Sequence, residues 1–528
     1  MRNDPHLAPR AANHRPLSPL DFLDRALSVH PDRLAVVWQG RHWSYAGFGG
    51  IVARLAEFLT AQGVGPGDVV SVMLPNRPEM LAAHYAIPML GAVLNTVNTR
   101  LDAETVGYIL THAESRLILG DPSTADTARA AAVAAGVPVF ILDTEPGPDL
   151  LNGPAALPDD LMARVTDEWQ IIAINYTSGT TGRPKGVVCH HRGAYLNALG
   201  NVLTLGLTGQ SVYLWVLPMF HCNGWCHTWA VTAAGGVHVC LDRVDAAEIL
   251  ASIPANGVTH MACAPVVLYM MLNHPLCANF RATGPVIVAS GGASPSPALI
   301  TGLETMGLTF LHLYGLTESY GPATLCSLDA TSAALPGEAK AQLLSRQGSR
   351  HATASRVAVL GTDGQPVPMD GTSLGEIMLR GNTLMAGYYR DAPATEAAFA
   401  GGALNTGDIA VRHPNGEIEI RDRAKDVIIS GGENISSLEV ENALHRHPAV
   451  LLAAVVAAAD AKWGEVPCAF VELKPGQNVT PDALRDFARS LIAHYKVPRR
   501  YVFGELPKTA TGKIQKYILR DRAKAGPA

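Results

Sequence analysis

Short β-branched runs alternate with helix-like stretches through most of the chain. "GDVVSVMLP" (67–75) is followed by "RPEMLAAHYAIPMLGA" (77–92), and "RLILGD" (116–121) and "PVFILD" (138–143) extend the series. The same texture returns at "VYLWVLP", "GGVHVCLD", "VTHMACAP" and "GPVIVASGG" between residues 212 and 292. Apolar on both faces and separated by helical segments, such runs predict α/β units with largely parallel sheets. The Ala-rich "ADTARAAAVAAG" (125–136) reads as a surface helix. From about Ser355 the pattern changes. "ASRVAVLGTDGQPVP" and "GEIMLRGNTLMAGYY" predict antiparallel strands of a β-barrel-like subdomain, with turns at Asp363-Gly364 and Gly381-Asn382. Residues 421–448 then read as a charged joint, a strand, a Gly-Gly turn and a helix capped by Ser436 or Ser437. The remainder is a small α+β unit. These signals predict an α/β chain with a large N-terminal domain, residues 1–422, a hinge at 423–426 and a small mobile α+β domain, 427–528.

Composition agrees with that division and narrows the class. A chain of 528 residues exceeds what a single core supports. Apolar content of 48% with 16% charged residues is that of a packed globular protein. Eight cysteines without a C-x-x-C pair argue for a reducing compartment. The N-terminus has no apolar signal core, the run "AVLLAAVVAAA" (449–459) is too short to span a bilayer, and the terminal "GPA" is not an SKL-type address. A cytoplasmic location is the resulting expectation. The net charge of −5 is too mild for nucleic-acid binding, but it is unevenly spread. From Lys425 onward 15 Lys+Arg face 11 Asp+Glu, or +4, which leaves −9 for the rest. Only ten lysines stand beside 31 arginines, and the first is Lys185, inside a Gly/Thr loop.

Four stretches carry the chemistry. "YTSGTTGRPKG" (176–186) follows the strand-like "WQIIAINY", and its hydroxyls and backbone N–H groups suit a polyphosphate, with Lys185 as a point charge. It is not a Walker loop, since Pro184 and Gly186 flank the lysine where Gly and Ser/Thr are required. "LYGLTES" (313–319) ends an apolar strand with a base-stacking candidate, Tyr314, then Gly315, a phosphate-contacting candidate, Thr317, and a hard carboxylate for Mg²⁺, Glu318. "LNTGDIA" (404–410) presents Asp408, whose carboxylate can accept from the two hydroxyls of a ribose; a turn aspartate is the plainer reading. "LPKTATGKIQK" (506–516) offers Lys513 on a short Gly loop, or simply a solvated lysine.

Taken in this order, the four stretches resemble the adenylate-forming superfamily of acyl-CoA synthetases, peptide-synthetase adenylation domains and beetle luciferases, over residues 21–522. The resemblance implies ATP-dependent activation of a carboxylic acid to acyl-AMP, then transfer to CoA, with ATP and CoA as co-substrates and Mg²⁺ as cofactor. It places Tyr314 on the adenine with Gly292 and Ala293 nearby, Asp408 and Arg423 on the ribose, and Thr177, Ser178, Gly179, Thr180, Thr181, Gly182 and Lys185 around the pyrophosphate. Glu318 is the implied Mg²⁺ ligand and Lys513 the implied catalytic lysine, reaching carboxylate and α-phosphate. Lys425 falls on the hinge, about which the small domain swings to bring Gly431 and Gly432 toward the pantetheine arm. "LPMFHCNGWCHTW" (217–229) matches the region shaping the acyl pocket, and His221, Trp225 and Tyr320 are expected to narrow it for a short- or medium-chain acid. Peptide-synthetase domains carry an Asp after the corresponding Phe; His221 stands here, against an amino-acid substrate.

Alternatives stay open on the residues themselves. "FHCNGW" also looks like benzoate and cinnamate activators, and methylthioalkanoate–CoA ligases share the texture. A carrier-protein acceptor, a luciferase-like oxygenase, a P-loop kinase and a non-enzymatic binding protein are the rivals, the P-loop one disfavoured by Pro184. Zinc at His221, Cys222, Cys226 and His227 is disfavoured by the lack of a second distant pair. A homodimer is the expected assembly.

Overall fold

The computed structural model describes residues 5–144, 147–177, 183–292, 295–508 and 514–524. Among these residues the strands form four sheets. A seven-stranded sheet runs Gly387–Tyr388, Lys185–His190, Ile171–Thr177, Val93–Thr96, Val69–Met73, Ser115–Gly120, Val139–Ile141. A nine-stranded sheet runs Ser349–Arg350, Gly321–Cys326, Leu308–Leu316, Val286–Ser290, His260–Cys263, Val212–Trp215, Val237–Cys240, Leu34–Trp38, Arg41–Ser44. The inner strands of both are parallel, as their uninterrupted apolar runs require. One core joins the two sheets, and the helix Pro78–Met89 is buried along its whole length within it. With no solvent face, that helix can carry charge only in pairs: Glu79 is held by Arg77, which also reaches Asp121 at 2.6 Å.

The seven-stranded sheet switches to antiparallel pairing at one edge and the nine-stranded sheet at both, where Leu34–Trp38 meets Arg41–Ser44 and where the strand Leu308–Leu316 ends. Ile171–Thr177 turns back into Lys185–His190, with Thr177 opposite Lys185. Leu308–Leu316 turns back into Gly321–Cys326. These two hairpins carry the first two candidate stretches.

The third sheet is antiparallel, Arg356–Leu360, Gly375–Arg380, Leu404–Arg412 and Ile418–Arg423, with Gly364 (φ 74°) at the expected turn. The expected turn at Gly381-Asn382 is different. The chain leaves this sheet after Arg380, and Gly387–Tyr388 pairs with Val187–Val188 as the edge strand of the seven-stranded sheet. The edge of that sheet offers unpaired groups nearby: Ala386 N donates to Val188 O, and Tyr389 N to Gly186 O.

The small unit begins at Ile428 and contains the strands Val450–Asp460 and Gly464–Leu473 and the helix Ser437–His445. Ser436 caps that helix, its Oγ accepting from Glu439 N at 3.1 Å. The joint to the large unit is polar and short. The Asp422 carboxylate accepts from Ser437 N and Oγ, so the last strand of one unit holds the first helix of the next.

Candidate active site

Tyr314 lies on Leu308–Leu316 and is buried in a cluster with residues of the third sheet, including Ile377 and Ala410. Its hydroxyl donates to Asp408 Oδ2 at 2.7 Å. Asp408 and Arg423 are direct cross-strand partners, and Arg423 Nε stands 3.1 Å from Asp408 Oδ1. Burial and the adjacent Asp408 carboxylate push the Tyr314 phenol well above its ordinary range, so it stays a donor. Tyr314 thus meets Asp408, 94 positions on in the chain, where the nine-stranded sheet packs against the third.

Glu318 sits in the Thr317–Ser319 turn, closed by Ser319 Oγ accepting from Leu316 N at 2.9 Å. Gly315 must be glycine here, since a Cβ would lie 1.7 Å from Gly321 O. One Glu318 oxygen, Oε1, accepts from Tyr388 OH at 2.8 Å. The Tyr388 ring lies 4.8 Å below Lys185 Nζ, which is also 3.9 Å from Asp391 Oδ2. Tyr388 therefore joins the lysine of the first hairpin to the carboxylate of the second. Sequence reasoning missed it by placing it in the wrong hairpin; the signal was the Gly-Tyr-Tyr-Arg run, polar aromatics behind a glycine whose Cβ would meet Thr395 at 2.8 Å.

Of the other expected residues, Gly292 is left-handed (φ 84°), and Gly431 and Gly432 (φ 61° and 90°) form the turn between Ile428–Ser430 and Glu433–Ile435. A Cβ on Gly431 would lie 2.6 Å from the Trp463 ring. Ser178, Gly179, Thr180, Thr181, Gly182, Ala293 and Lys513 lie outside the described residues. Beyond Lys513, Lys516 Nζ pairs with Glu441 at 2.7 Å and donates to Ser437 Oγ at 2.6 Å, while Arg520 pairs with Asp426. The segment after Lys513 is thus tied to the same serine that Asp422 holds. Lys425 is exposed, yet surrounding protein and the cations Arg423 and Arg520 lower its ammonium to about 8.

His221 leads into an unusual turn. Cys222, Asn223, Gly224, Trp225 and Cys226 all have φ between 52° and 63°. Left-handed backbone costs roughly 1–2 kcal/mol for each residue with a side chain, so the surroundings must impose it. They do so through hydrogen bonds. Thr228 Oγ1 donates to Asn223 O, Asn201 Nδ2 to Trp225 O and Thr96 Oγ1 to Phe220 O. Cys222 Sγ lies 3.8 Å from Thr317 O and Cys226 Sγ 3.4 Å from Tyr320 O, tying the turn to the Glu318 hairpin. Burial pushes both thiols upward, and among the described residues no group of three or more His, Cys, Asp or Glu side chains is placed to hold a metal ion. Tyr320 is buried, with its OH accepting from His190 N at 2.6 Å and its ring against Gly193. His190 caps the following helix, its Nδ1 accepting from Gly193 N, and His191 Nδ1 meets Ser18 Oγ at 2.8 Å.

Two outcomes follow from this geometry. Tyr388→Phe removes the bond to Glu318 and leaves the ring under Lys185; the KM for Mg·ATP should rise by about 5- to 12-fold while the KM for the acid stays within twofold, the loss of roughly 1–1.5 kcal/mol of hydrogen bonding. An unchanged KM for Mg·ATP would show that the bond does not matter. For Lys425 the sign is set by a folded value near 8 against an ordinary 10.5. Between these values the native state has lost a proton that the unfolded state keeps, so stability gains with rising pH. Lys425→Met should therefore flatten the stability–pH profile between about 8 and 10.5, read by denaturant unfolding at each pH, and an unchanged slope would contradict the crowding at the joint.

Comparison with known proteins agrees with this arrangement. The family described as AMP-binding enzyme matches residues 23–389, and its C-terminal domain matches residues 439–513, which end on Lys513. An acetate/butyrate–CoA ligase of Arabidopsis thaliana, peroxisomal by name, is 45% identical over 97% of this chain and 95% of its own length. A benzoate–CoA ligase of the same plant, also peroxisomal by name, is 40% identical over 97% of this chain and 94% of its own. The o-succinylbenzoate CoA synthetase of Bacillus subtilis, solved with an acyl-adenylate, superposes with a TM-score of 0.81 at 28% identity, covering 95% of this chain and 98% of that one. The expectation of a cytoplasmic location is corrected by these peroxisomal relatives: a missing signal core and a missing SKL ending were too little to place the enzyme. Paired hairpins, a tyrosine–aspartate–arginine cluster and full-length likeness converge, and the chain belongs to the AMP-binding enzyme family, among the adenylate-forming acid–CoA ligases.

Proposed function

We propose that the enzyme activates a short- or medium-chain carboxylic acid with ATP and passes the acyl group to CoA, releasing AMP and pyrophosphate. The observation that carries this reading is that one hairpin supports two polar clusters, Tyr314–Asp408–Arg423 and Glu318–Tyr388–Lys185, with Tyr314 and Glu318 only four residues apart. The first set suits a nucleoside. Asp408 has one oxygen on Tyr314 and the other beside Arg423, and its remaining acceptor capacity matches a ribose diol. The second set suits polyphosphate. Lys185 supplies a mobile cation at the mouth of the loop that follows Thr177.

In the first half-reaction the acid's carboxylate attacks the α-phosphate, and both partners are anionic. The chain's task is to align them and offset their repulsion. Lys185 withdraws charge at the leaving pyrophosphate, and Lys513, the end of the C-terminal family match, is the proposed cation between carboxylate and α-phosphate. Glu318 fits a hard cation: its carboxylate is oxygen-only, with Oε1 oriented by Tyr388 and Oε2 available. A bound Mg²⁺ there would neutralise phosphate charge. In the second half-reaction, rotation about residues 423–426 would exchange Lys513 for the Gly431-Gly432 turn, whose left-handed glycines permit close approach by a pantetheine arm.

The names of the acetate/butyrate and benzoate ligases support an acid of small size, with an aryl acid as the second reading. The test is acid-dependent ATP–pyrophosphate exchange over a panel from acetate to octanoate with benzoate, followed by CoA and mass detection of the thioester. Exchange with a short aliphatic acid and a fall of at least about 100-fold in Lys513→Ala are expected, the scale of one catalytic electrostatic contact. No exchange with any acid would contradict the ligase reading, and full exchange by Lys513→Ala would contradict the role of that lysine.

A further inference from the structure

The helix Pro265–Leu272 follows the strand His260–Cys263 and is apolar on two faces. Val267, Leu268 and Met271 are buried in a core of the large unit. Val266 and Tyr269, three positions apart and so on one face of the helix, pack at the rim of that core and against a second one as well. The second core belongs to the small unit and is built around Leu452, Val456, Phe470, Leu506 and Leu519. Among the described residues, these are the two apolar side chains that pack on a core of each unit. The Tyr269 ring also lies nearly parallel to that of His445, at the end of the helix Ser437–His445, with centroids 6.2 Å apart and planes 12° from parallel. Both rings are fixed from behind. The Tyr269 hydroxyl is 2.8 Å from Ser296 Oγ, which caps the helix Pro297–Thr305 four residues beyond Gly292. His445 Nε2 accepts from Ala453 N at 3.1 Å.

We propose that Val266 and Tyr269 form the seat on which the small unit docks for acid activation, with Tyr269 a positioning residue for that step; the claim rests on the two-step ligase reading above. In the orientation seen here the Gly431-Gly432 turn stands in water. Gly431, Gly432, Glu433 and Asn434 are exposed, and Ile429 is 55% exposed. A turn in water is not at the mouth of a pantetheine tunnel, so the seated orientation serves the other half-reaction. The core that rests on the seat also holds Ile514, the residue after Lys513, so seating it fixes one end of the lysine's loop. The seat acts together with the Asp422–Ser437 bonds across the joint. Two side chains and one ring pair favour the orientation without making it permanent, as a unit that must turn in every catalytic cycle requires. Through Ser296 the same tyrosine is tied to the segment that follows Gly292, so the docked unit and the nucleotide side of the large unit share one contact.

The experiment compares two rates in wild type, Tyr269→Phe, Tyr269→Ala, His445→Ala and the double alanine variant. Acid-dependent ATP–pyrophosphate exchange reads the first step, and transfer to CoA from supplied butyryl-AMP reads the second. Loss of the seat multiplies the ratio of transfer to exchange by the factor through which the two orientations are repopulated. That ratio is expected to rise by about 3- to 10-fold in Tyr269→Ala, the scale of one aromatic pair. His445→Ala should move it the same way, and the double variant should exceed Tyr269→Ala by no more than about twofold, because the two rings share one contact. Tyr269→Phe keeps the ring and should stay within about twofold of wild type. A residue that merely stabilised its own helix would lower both rates together and leave the ratio alone. An unchanged or lower ratio in a folded Tyr269→Ala overturns the seat and leaves the ligase reading intact. If that variant does not fold, the same result in His445→Ala overturns it. Absence of wild-type exchange with every acid overturns both.

Discussion

The site depends on a single buried carboxylate. Asp408 is nearly inaccessible to water, and a lone charge in such a place would be costly. It is tolerated because Tyr314 donates to one oxygen and Arg423 stands at the other. That arrangement also determines geometry. Tyr314 belongs to the third strand of the nine-stranded sheet, Asp408 to the third sheet, and Arg423 to the last strand before the joint, so satisfying one charge fixes three elements. Immediately beside it, Asp422 holds the first helix of the small unit through Ser437. Adjacent residues on one strand thus hold Asp408 on one side and the small unit on the other.

Strain and packing oppose each other at the turn Cys222–Cys226. Four residues with side chains in left-handed backbone cost several kcal/mol by ordinary conformational preference. The expenditure is offset by buried hydrogen bonds to each exposed carbonyl and by the large core in which Trp215, Trp225 and Trp229 take part. A right-handed turn of the same residues would relieve the backbone but carry Trp225 away from Gly291 and Gly321.

Much of this was legible in the sequence, for physical reasons that can be named. Apolar runs such as "VIVAS" are buried on both faces, so strand positions and parallel pairing followed from period and length. The meeting of Tyr314, Asp408 and Arg423 was implied by the order of motifs, not by periodicity, since nothing local relates residues so far apart. Tyr388 escaped because its run reads as part of the hairpin that starts at Gly375, whereas the chain leaves that sheet to pair at the edge of another. The left-handed turn escaped because Cys, Asn and Trp carry no preference for positive φ strong enough to read; only Gly224 hinted at it. Of the cysteines and histidines weighed for zinc, both thiols lie at carbonyls and His227 is buried with its Nδ1 at Tyr213 OH.

The central claim is that Asp408 is both the structural tie and the acceptor for the nucleotide's sugar. The most direct test is the dissociation constant of AMP, by calorimetry, for wild type and for Asp408→Asn, which keeps the shape and removes the charge. Loss of a charge-assisted hydrogen bond predicts weakening of about 10- to 100-fold, with a thermal transition still cooperative. AMP binding within about twofold of wild type in a folded Asp408→Asn would contradict the account.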